Sequence, residues 1–488
     1  MKPPQTSSAH VLIFPCPAQG HVNSMLNLAQ LLALRNLQVT FLNTEHIHNR
    51  LTRFADIESL PARYHTLRFK TIPDGLPEEH PRSGERSVEP LHSVKVHGKP
   101  LLRDILVKEK VTCLVADGYF GKLGNDLAEE IGVPIIHFRT IGASCFWTYF
   151  CTNTMWYVMS KILEGEEDMD RIISIIPGME NLLRCRDLPS FCRPNRAKGE
   201  PFIPLESIVS ETHQTLRARA VIFNTFDDLE APVLSHLRRR FPTIFTVGPL
   251  HQHRESRAPT AANTMTSNNS IWEEDMSCMA WLDSQPFRSV IYVSFGSVTT
   301  VTRESLLEFW YGLINSKMRF LWVVRSDMIA AGEGKDESVP AELVEGTKER
   351  GLMVGWVPQV EVLSHKSVGA FMTHCGWNST IESVVASVPM ICWPYFADQQ
   401  VNSRLASDSW KVGLDMKDVC DRNVVENMVK DVMVNRKEEF LQSAEKLAVL
   451  ARESVSEGGS SYDNLDRLID FIELIREEHL QTETSCNF

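Results

Sequence analysis

The chain has 488 residues, more than a single hydrophobic core normally holds, so two domains of similar size are expected. Hydrophobic residues make up 43% and charged residues 23% of the sequence, a balance typical of globular proteins and not of disordered ones. The net charge of -12 and the lack of a basic tract argue against nucleic acid or an anionic membrane surface as a partner.

The first half of the chain alternates short apolar runs with amphipathic stretches. Residues 11–14 form an apolar run before Pro15 and predict a buried strand, residues 25–34 carry apolar side chains at helical spacing, and residues 37–42 predict a second strand. Further strands are predicted at 111–115, 134–138 and 220–223, with a helix near 122–131. Such β-α-β units build parallel sheets with right-handed crossovers.

Residues 251–270 are polar, so we interpret them as the linker between an N-terminal domain, residues 1–250, and a C-terminal domain, residues 271–460. The second half repeats the alternation, with strands predicted at 290–294, 320–324, 352–354, 369–373 and 389–392, and helices at 304–314 and 379–386. Residues 461–488 contain an amphipathic helix, 465–478, which we expect to pack back toward the N-terminal domain. The predicted fold class is α/β, with two doubly wound, Rossmann-like domains facing each other across a cleft.

Eleven cysteines are scattered through the chain without a C-x-x-C pair. This usage is typical of reduced, mostly buried thiols, so a reducing compartment and a cytoplasmic protein are expected. No run of 18 apolar residues occurs, and the most apolar segment, residues 141–159, is interrupted by Ser, Thr and Asn. We therefore expect no membrane span and interpret this segment as a buried or pocket-lining helix.

Common nucleotide and metal motifs are absent or weak. No G-x-G-x-x-G follows a predicted strand and no G-x-x-x-x-G-K-[ST] occurs, which argues against ordinary dehydrogenases and P-loop NTPases. Asp168 and Asp170 form a D-x-D pair within an acidic run that no strand precedes, which favours a solvated surface. His46 and His48 lack the further ligands of a metal site.

Residues 373–380, with the sequence THCGWNST, join a predicted strand to a predicted helix. The free N–H groups and partial positive charge of a helix N-terminus suit a pyrophosphate, and Gly376 lets the backbone come close to it. Glu382 lies four residues after Asn378, on the same helical face, where a carboxylate can accept hydrogen bonds from ribose hydroxyls. From the residues alone, Asn378 could instead be a simple N-cap and His374 a buried structural histidine.

The longer pattern in residues 356–399 is far more specific. Its fixed positions are Trp356, Val357, Pro358, Gln359, His365, His374, Cys375, Gly376, Trp377, Asn378, Ser379, Glu382, Pro389, Trp393, Pro394, Asp398 and Gln399. This pattern resembles, with the same spacing from end to end, the signature box of the plant family 1 UDP-glycosyltransferases. Residues 20–23, 187–190, 248–250, 281–283 and 293–297 extend the resemblance over most of the chain. It implies the GT-B architecture, UDP-glucose as donor, no cofactor and a monomer.

The resemblance also implies a role for each matching position in the donor site. Trp356 stacks on the uracil, the backbone at Val357 and the side chain of Gln359 contact base and ribose, and Glu382 holds the ribose hydroxyls. The implied diphosphate contacts are His374, Asn378, Ser379 and Ser297. The implied sugar contacts are Trp377, Asp398 and Gln399, and glutamine at this last position is associated with glucose.

Two positions depart from the pattern of the family. Ser387 stands where the family usually has glycine before Val-Pro, and Ser24 follows Gly-His-Val-Asn where the family often has proline. Neither change removes an implied contact, although both can alter the local backbone geometry.

His21 lies after Gly20 in the loop that follows the first predicted strand, and a solvent-facing or capping histidine is the simplest interpretation of that position alone. The resemblance implies that His21 is the general base, a task that suits histidine because its pKa lies near the working pH. Asp117, after strand 111–115, would orient the imidazole, although it could also be only an N-cap. The implied reaction is a metal-independent displacement of UDP by a hydroxyl, or a carboxyl, of a small lipophilic acceptor, which inverts the anomeric carbon and gives a β-glucoside. The helix dipole would lower the pKa of His21 and Asp117 would raise it, so the sequence leaves the net direction open.

The small-molecule acceptor is expected to bind the N-terminal domain. Candidate contacts are Phe14, Phe120, Arg139, Phe146, Trp147 and Tyr149. The aromatic residues could equally be core, and Arg139 could form an ion pair in place of binding an acceptor carboxylate. Residues 137–147 resemble plant transferases acting on iridoids and related aglycones, which favours an iridoid or other monoterpenoid. A phenolic or apocarotenoid acceptor, a UDP-sugar epimerase and a non-catalytic UDP-sugar-binding protein remain alternatives.

Overall fold

The computed structural model describes residues 9–152, 161, 168–192, 203–241, 243–257, 269–329, 341–416 and 419–486. Within these ranges the chain forms two parallel β-sheets of seven and six strands, one in each half, and helices pack against both sheets. The carboxyl ends of the strands in the two sheets face a common cleft. The predicted α/β fold with two doubly wound, Rossmann-like halves is therefore confirmed.

The N-terminal sheet has the strand order β3-β2-β1-β4-β5-β6-β7, and every pair of neighbours is parallel. Its strands are β1 (His10–Phe14), β2 (Gln38–Thr44), β3 (Leu67–Ile72), β4 (Cys113–Asp117), β5 (Ile135–Arg139), β6 (Ala220–Phe223) and β7 (Ile244–Thr246). Its helices are α1 (Gln19–Leu34), α2 (Glu45–Phe54), α3 (Leu60–Arg63), α4 (Glu89–Lys108), α5 (Gly121–Ile131), α6 (Ala143–Cys151), α7 (Leu205–His213), α8 (Asp227–Arg240) and α9 (Leu250–Arg257).

The C-terminal sheet has the order β10-β9-β8-β11-β12-β13, again entirely parallel. Its strands are β8 (Val290–Ser294), β9 (Arg319–Val323), β10 (Gly351–Val354), β11 (Val368–Thr373), β12 (Met390–Cys392) and β13 (Gly413–Asp415). The helices of this half are α10 (Ser277–Asp283), α11 (Arg303–Ser316), α12 (Ala341–Thr347), α13 (Gln359–Leu363), α14 (Trp377–Val385), α15 (Gln399–Arg404), α16 (Arg422–Lys430), α17 (Lys437–Val455) and α18 (Ser460–Cys486).

Both sheets reverse their strand order at one point, and these points position the site. In the N-terminal sheet the chain adds strands outward from β1 toward β3, and then crosses to β4 on the other side of β1. The C-terminal sheet repeats this arrangement at β8 and β11. The loops that follow adjacent strands diverge at such a point, which leaves a crevice at the carboxyl ends where ligands bind.

The ten strands predicted from the sequence are all present, with ends shifted by at most two residues. Three strands were missed. β3 is an edge strand in which Arg68 is exposed and only Leu67 and Ile72 are buried, so its apolar pattern is weak. β7 and β13 have three residues each, too few to give a periodic signal.

The segment interpreted as a linker begins with a helix. Its first residues belong to α9, which packs against α1 and buries His251 and His253. The polar composition of this stretch indicated solvent-exposed chain, but His253 is buried and its Nδ1–H donates to the Val247 carbonyl at 2.9 Å. Residues 258–268 lie outside the described part, so the position of the domain boundary remains a prediction.

The C-terminal helix α18 begins at Ser460, five residues earlier than the predicted helix. Leu465, Leu468, Ile472 and Ile475 are fully buried in the core cluster that also contains Val11 and Ile13 of β1 and the inner face of α1. The last helix of the chain is therefore part of the N-terminal core, and it ties the two ends of the sequence together.

Ten cysteines in the described ranges are free thiols, and nine of them are buried. Their side chains pack like small apolar residues and no disulfide links them. In the portion of the chain that the structure covers, no helix combines the length and apolar character needed to cross a membrane.

The packing of α18 predicts a large difference between two of its residues. Ile472→Ala should lower the free energy of unfolding by about 2–5 kcal/mol, because it leaves a cavity in the N-terminal core. The matched control Leu474→Ala, whose side chain is 51% exposed, should change it by less than about 0.5 kcal/mol. Urea denaturation followed by circular dichroism measures both, and equal effects would contradict the assigned packing.

Candidate active site in the cleft

The cleft between the halves has an empty volume of about 1410 Å³ that is continuous with solvent. The loops after β1 and β5 line it from the N-terminal half, and the loops after β8, β10, β11 and β12 line it from the other. All of the donor-site residues predicted from the sequence lie on its wall: Ser297, Trp356, Val357, Gln359, His374, Trp377, Asn378, Ser379, Glu382, Asp398 and Gln399. His21 faces them from the first turn of α1.

His21 and Asp117 are joined by a short hydrogen bond. His21 Nδ1 lies 2.6 Å from Asp117 Oδ2, and the side chains are 30% and 2% exposed. The backbone N–H groups of Cys16 and Tyr119 also donate to the Asp117 carboxylate, at 3.3 and 3.0 Å. Asp117 thus caps the turn after β4, which was one of the two interpretations of its position in the sequence. It also accepts the hydrogen bond from His21. Since an ionised carboxylate only accepts, Nδ1 carries the proton and Nε2 presents a lone pair.

The surroundings of His21 and Asp117 decide whether the pKa of His21 is raised or lowered, which the sequence left open. Burial acts to lower the pKa of His21, but the charge and hydrogen bond of Asp117, with a contribution from Asp398, outweigh it, and the pKa lies above the usual 6.5. Burial acts to raise the pKa of Asp117, but the charge and hydrogen bond of His21 and the two backbone N–H groups lower it below 3.8. Asp117 therefore stays ionised and stabilises a protonated His21.

Thr140, for which no site role was predicted, belongs to the same cluster. Its Oγ1 lies 3.1 Å from His21 Nδ1, and the residue lines the cleft directly after β5. The only available signal was its position, because a polar residue at the carboxyl end of a buried parallel strand is placed where ligands bind.

The N-terminus of α14 faces the cleft as predicted, but its cap differs. The N-cap is Gly376, and Asn378 is the second residue of the helix. The interpretation of Asn378 as a simple N-cap is therefore wrong, because its amide reaches the other half, where Nδ2 donates to the Gly20 carbonyl at 2.8 Å. The backbone N–H groups of the first turn remain directed into the cleft, where they can bind an anion.

His374 is held between two glycines. A Cβ on Gly296 would lie 2.4 Å from His374 Nε2 and one on Gly376 would lie 2.6 Å from it, so larger residues would displace the ring. Gly296 also has a φ of +71°, which favours glycine. Burial and the charge of Arg325 lower the pKa of His374 to about 3, so this histidine is neutral. A neutral imidazole beside the helix N-terminus can donate one N–H to a phosphate oxygen.

Glu382 and Gln359 form a connected group at the far end of the cleft. Gln359 Nε2 donates to Glu382 at 2.7 Å and to the Ser379 hydroxyl at 2.9 Å, while Gln359 Oε1 accepts from Tyr292 at 3.0 Å. Burial raises the pKa of Glu382 to about 7. Trp356 presents a flat aromatic surface beside this group and is stacked against Trp272, with ring centroids 5.6 Å apart.

Asp398 and Gln399 lie near His21, at the opposite end. Asp398 accepts from Asn402 Nδ2 at 2.7 Å, and burial raises its pKa to about 6. Gln399 Oε1 accepts the N–H groups of Tyr395 and Phe396, both at 2.8 Å. The Trp377 indole forms a contact between the two halves, because its N–H donates to the Asn224 carbonyl at 2.8 Å.

The candidate acceptor contacts are in the core, not on the wall of the cleft. The six candidates, all less than 9% exposed, are Phe14, Phe120, Arg139, Phe146, Trp147 and Tyr149. The rings of Phe14 and Phe120 stack 4.9 Å apart, and the Trp147 indole donates to the Pro177 carbonyl. The sequence could not distinguish these roles, because core and pocket aromatics share the same apolar pattern.

Arg139 is a structural residue rather than an anion-binding one. Its guanidinium donates to the carbonyls of Gly118 and Glu211, at 3.0 and 2.8 Å, and lies over the Phe146 ring. Burial lowers its pKa to about 10. The expectation that Arg139 meets an acceptor carboxylate is therefore not supported.

Metal-binding capacity in the described ranges is limited to one group, Cys16, His21 and Asp117, whose ligand atoms lie within 4.8 Å of one another. Burial raises the pKa of the Cys16 thiol well above its usual value, which makes it a poor ligand. His46 and His48 do not belong to this group. Asp170 of the D-x-D pair is 57% exposed and forms ion pairs with Arg184 and Arg186.

Comparison with known proteins supports a nucleotide-sugar site in this cleft. Residues 261–452 match the family described as UDP-glucoronosyl and UDP-glucosyl transferase, and residues 7–84 match the N-terminal domain of glycosyltransferases. The chain is 53% identical to 7-deoxyloganetic acid glucosyltransferase of Catharanthus roseus, over 95% of this chain and 97% of that protein. It is 40% identical to a myricetin 3-O-rhamnoside 1,2-glucosyltransferase of Crocosmia x crocosmiiflora, over 95% of both chains. The crystal structure of Os79 from O. sativa with UDP superimposes with a TM-score of 0.77 at 27% identity, over 95% of this chain and 100% of that one.

The raised pKa of Glu382 predicts a pH dependence of donor binding. Hydroxyl groups donate more strongly to a carboxylate than to a neutral acid, so binding of UDP-glucose should favour ionised Glu382. Its affinity should then weaken as the pH falls through about 7, where Glu382 becomes protonated. Titration calorimetry from pH 5.5 to 8.5 measures this effect. The Glu382→Gln variant should bind more weakly at pH 8 and lose the change in affinity near pH 7, while Asp398, with a pKa of about 6, can still act at lower pH. A wild-type affinity that does not change between pH 6.5 and 8 would refute this role.

Proposed function

The chain belongs to the UDP-glycosyltransferases of plants, and we propose that it transfers glucose from UDP-glucose to a hydroxyl of an iridoid acid, with inversion and without a metal ion. The observation that carries the proposal is 53% identity, over nearly the whole chain, to an enzyme named for 7-deoxyloganetic acid, combined with an intact His21–Asp117 pair. We further propose the donor contacts predicted for the residues on the cleft wall.

The base step follows from the geometry of the pair. His21 Nε2 takes the proton of the acceptor hydroxyl while Nδ1–H remains bonded to Asp117. The ionised Asp117 then stabilises the imidazolium that forms, and its own hydrogen bonds keep the carboxylate from moving. The deprotonated oxygen attacks the anomeric carbon from the side of the N-terminal half, opposite the diphosphate.

The leaving group is stabilised from the C-terminal half. As the bond from the anomeric carbon to the diphosphate breaks, negative charge grows on the β-phosphate. The first-turn N–H groups of α14, the Ser297 hydroxyl and neutral His374 supply donors and a positive potential, so no metal is required for this step. One displacement from the opposite face gives a β-glucoside.

The acceptor identity is the most specific part of the proposal. The iridoid acid is favoured over a phenolic acceptor because the iridoid-acid relative shares 53% of its residues and the flavonoid-glycoside relative 40%. A UDP-sugar epimerase is disfavoured by the family match, which includes the donor box. A non-catalytic sugar-nucleotide-binding protein would not need the His21–Asp117 hydrogen bond.

Turnover of UDP-glucose with 7-deoxyloganetic acid, and with phenolic and apocarotenoid aglycones, tests the proposal. In buffer with EDTA, the wild type should form the iridoid β-glucoside, identified by NMR of the anomeric proton. His21→Ala should lose about 10²- to 10⁴-fold in kcat, whereas His65→Ala, an exposed histidine outside the cleft, should match the wild type. Full activity in His21→Ala would contradict the assignment of His21 as the general base. Loss of wild-type activity in EDTA would contradict metal independence. A glucoside formed only from a phenolic aglycone would contradict the iridoid acceptor.

The raised pKa of His21 predicts the acid limb of the pH–rate profile. Only neutral His21 accepts a proton, so kcat/KM should fall as the pH drops through a pKa above 6.5. Asp117→Asn removes the charge that raises this pKa. Its acid limb should lie at lower pH, and its plateau about 10²- to 10⁴-fold below that of the wild type. An acid limb that stays in place in Asp117→Asn would contradict the assigned electrostatics.

A further inference from the structure

Ser24, one of the two departures from the family pattern, contacts the opposite half of the molecule. It is 2% exposed and lies in α1, one helical turn after Gly20, with His21 between them. Its hydroxyl donates to Asn378 Oδ1 at 2.8 Å. Asn378 Nδ2 in turn donates to the Gly20 carbonyl at 2.8 Å. We refer to these three residues as the Gly20–Ser24–Asn378 clamp.

The clamp joins the two helices that carry the chemistry. α1 holds His21 in its first turn, and α14 directs its N-terminal N–H groups into the cleft. The side-chain amide of Asn378 forms hydrogen bonds with both Gly20 and Ser24, four residues apart in the turn that contains His21. Both polar ends of the amide are used, so it resists rotation as well as separation of the helices.

The surroundings allow this close approach. A Cβ on Gly20 would lie 3.1 Å from Asn378 Nδ2, tighter than most side-chain contacts, so glycine gives the amide room. Asn224, at the end of β6, has its Nδ2 3.5 Å from Asn378 Oδ1, and its carbonyl accepts the Trp377 indole N–H. The junction is thus built from neutral, partly buried groups, whose hydrogen bonds depend little on salt because none of the partners is charged. A proline at position 24 has no hydroxyl and could not make the second contact.

We propose that Ser24 is a positioning residue that acts through Asn378 to fix the distance between the general base and the diphosphate site. This inference rests on the proposed transferase reaction. In-line displacement needs the acceptor oxygen on one side of the anomeric carbon and the leaving phosphate on the other. A change in the distance between α1 and α14 would therefore move both groups out of line. The effect should therefore fall mainly on kcat, with a smaller change in the KM for UDP-glucose.

A double-mutant cycle tests this role. Ser24→Ala should lower kcat about 3- to 10-fold, the loss expected for one neutral hydrogen bond. Asn378→Ala should lower it further, and the double variant should match Asn378→Ala, because the serine hydroxyl then has lost its partner. Ser454→Ala is the matched control: Ser454 is 4% exposed, and its hydroxyl bonds only within α17, to the Ala451 carbonyl at 2.8 Å.

Additive effects in the cycle would overturn the proposal, as would a Ser24→Ala loss no greater than that of Ser454→Ala. Hydrogen–deuterium exchange of peptides covering α1 tests the clamp without any acceptor. Exchange of the α1 peptides should be faster in each single variant than in the wild type. In the double variant it should be no faster than in Asn378→Ala. Unchanged exchange overturns the clamp even if the iridoid acid is glucosylated, and faster exchange with unchanged kcat overturns its role in positioning. A wild type that forms no glucoside would contradict the proposed function instead, leaving the exchange result to decide the clamp.

Discussion

Strands β1 and β4 lie side by side although about 100 residues of chain separate them, with Phe14 in register with Ala116. This adjacency brings His21, after β1, within 2.6 Å of Asp117, at the end of β4. The adjacency of β8 and β11 in the second sheet likewise brings Gly296 against His374. Each half therefore builds its part of the site at the point where its strand order reverses, and the cleft exists because those two points face each other.

Three buried carboxyl groups show how the surroundings set their charge. Burial raises the pKa of Glu382 to about 7 and that of Asp398 to about 6, and the hydrogen bond that each accepts from a neutral amide offsets this rise only in part. Asp117 is equally buried, yet its pKa lies below the usual value, because a histidine and two backbone N–H groups favour its charged form. Asp117 therefore stays an anion beside His21, whereas Glu382 and Asp398 have pKa values of about 7 and 6, so hydrogen bonds donated by a ligand would favour their charged forms.

The junction between the halves is part of the site. Trp377 donates to Asn224 and packs against Gly142, where a Cβ would lie 2.7 Å from its ring. Asn378 reaches Gly20 and Ser24. Residues that resemblance assigns to the sugar and the diphosphate thus also hold the two sheets together. Substitution of either residue would disturb donor binding and domain contact at once, which is why Ser24, outside the donor box, is the cleaner probe.

The predicted fold came almost entirely from local patterns. Apolar runs bounded by turn residues are enough to identify a buried parallel strand, and ten of the thirteen strands were predicted in this way. The three missed strands are short or at an edge, where a strand is stabilised by its neighbour and not by its own pattern. The first residues of the presumed linker, Leu250–Arg257, are helical because they pack on α1, a contact that polar composition does not reveal.

The sequence by itself determined the residue types and spacing of the donor box, and with them the family, because that pattern lies within one continuous stretch of chain, residues 356–399. It also identified His21 and Asp117, but only the tertiary structure decided that they touch and that the pKa of His21 rises. The burial of the six acceptor candidates was not predictable for the same reason: burial depends on which surfaces meet, and Arg139 and Phe146 meet each other in the core. Thr140 and Ser24 acquired roles only when distant segments were brought within hydrogen-bond distance, an outcome of packing that no local pattern encodes.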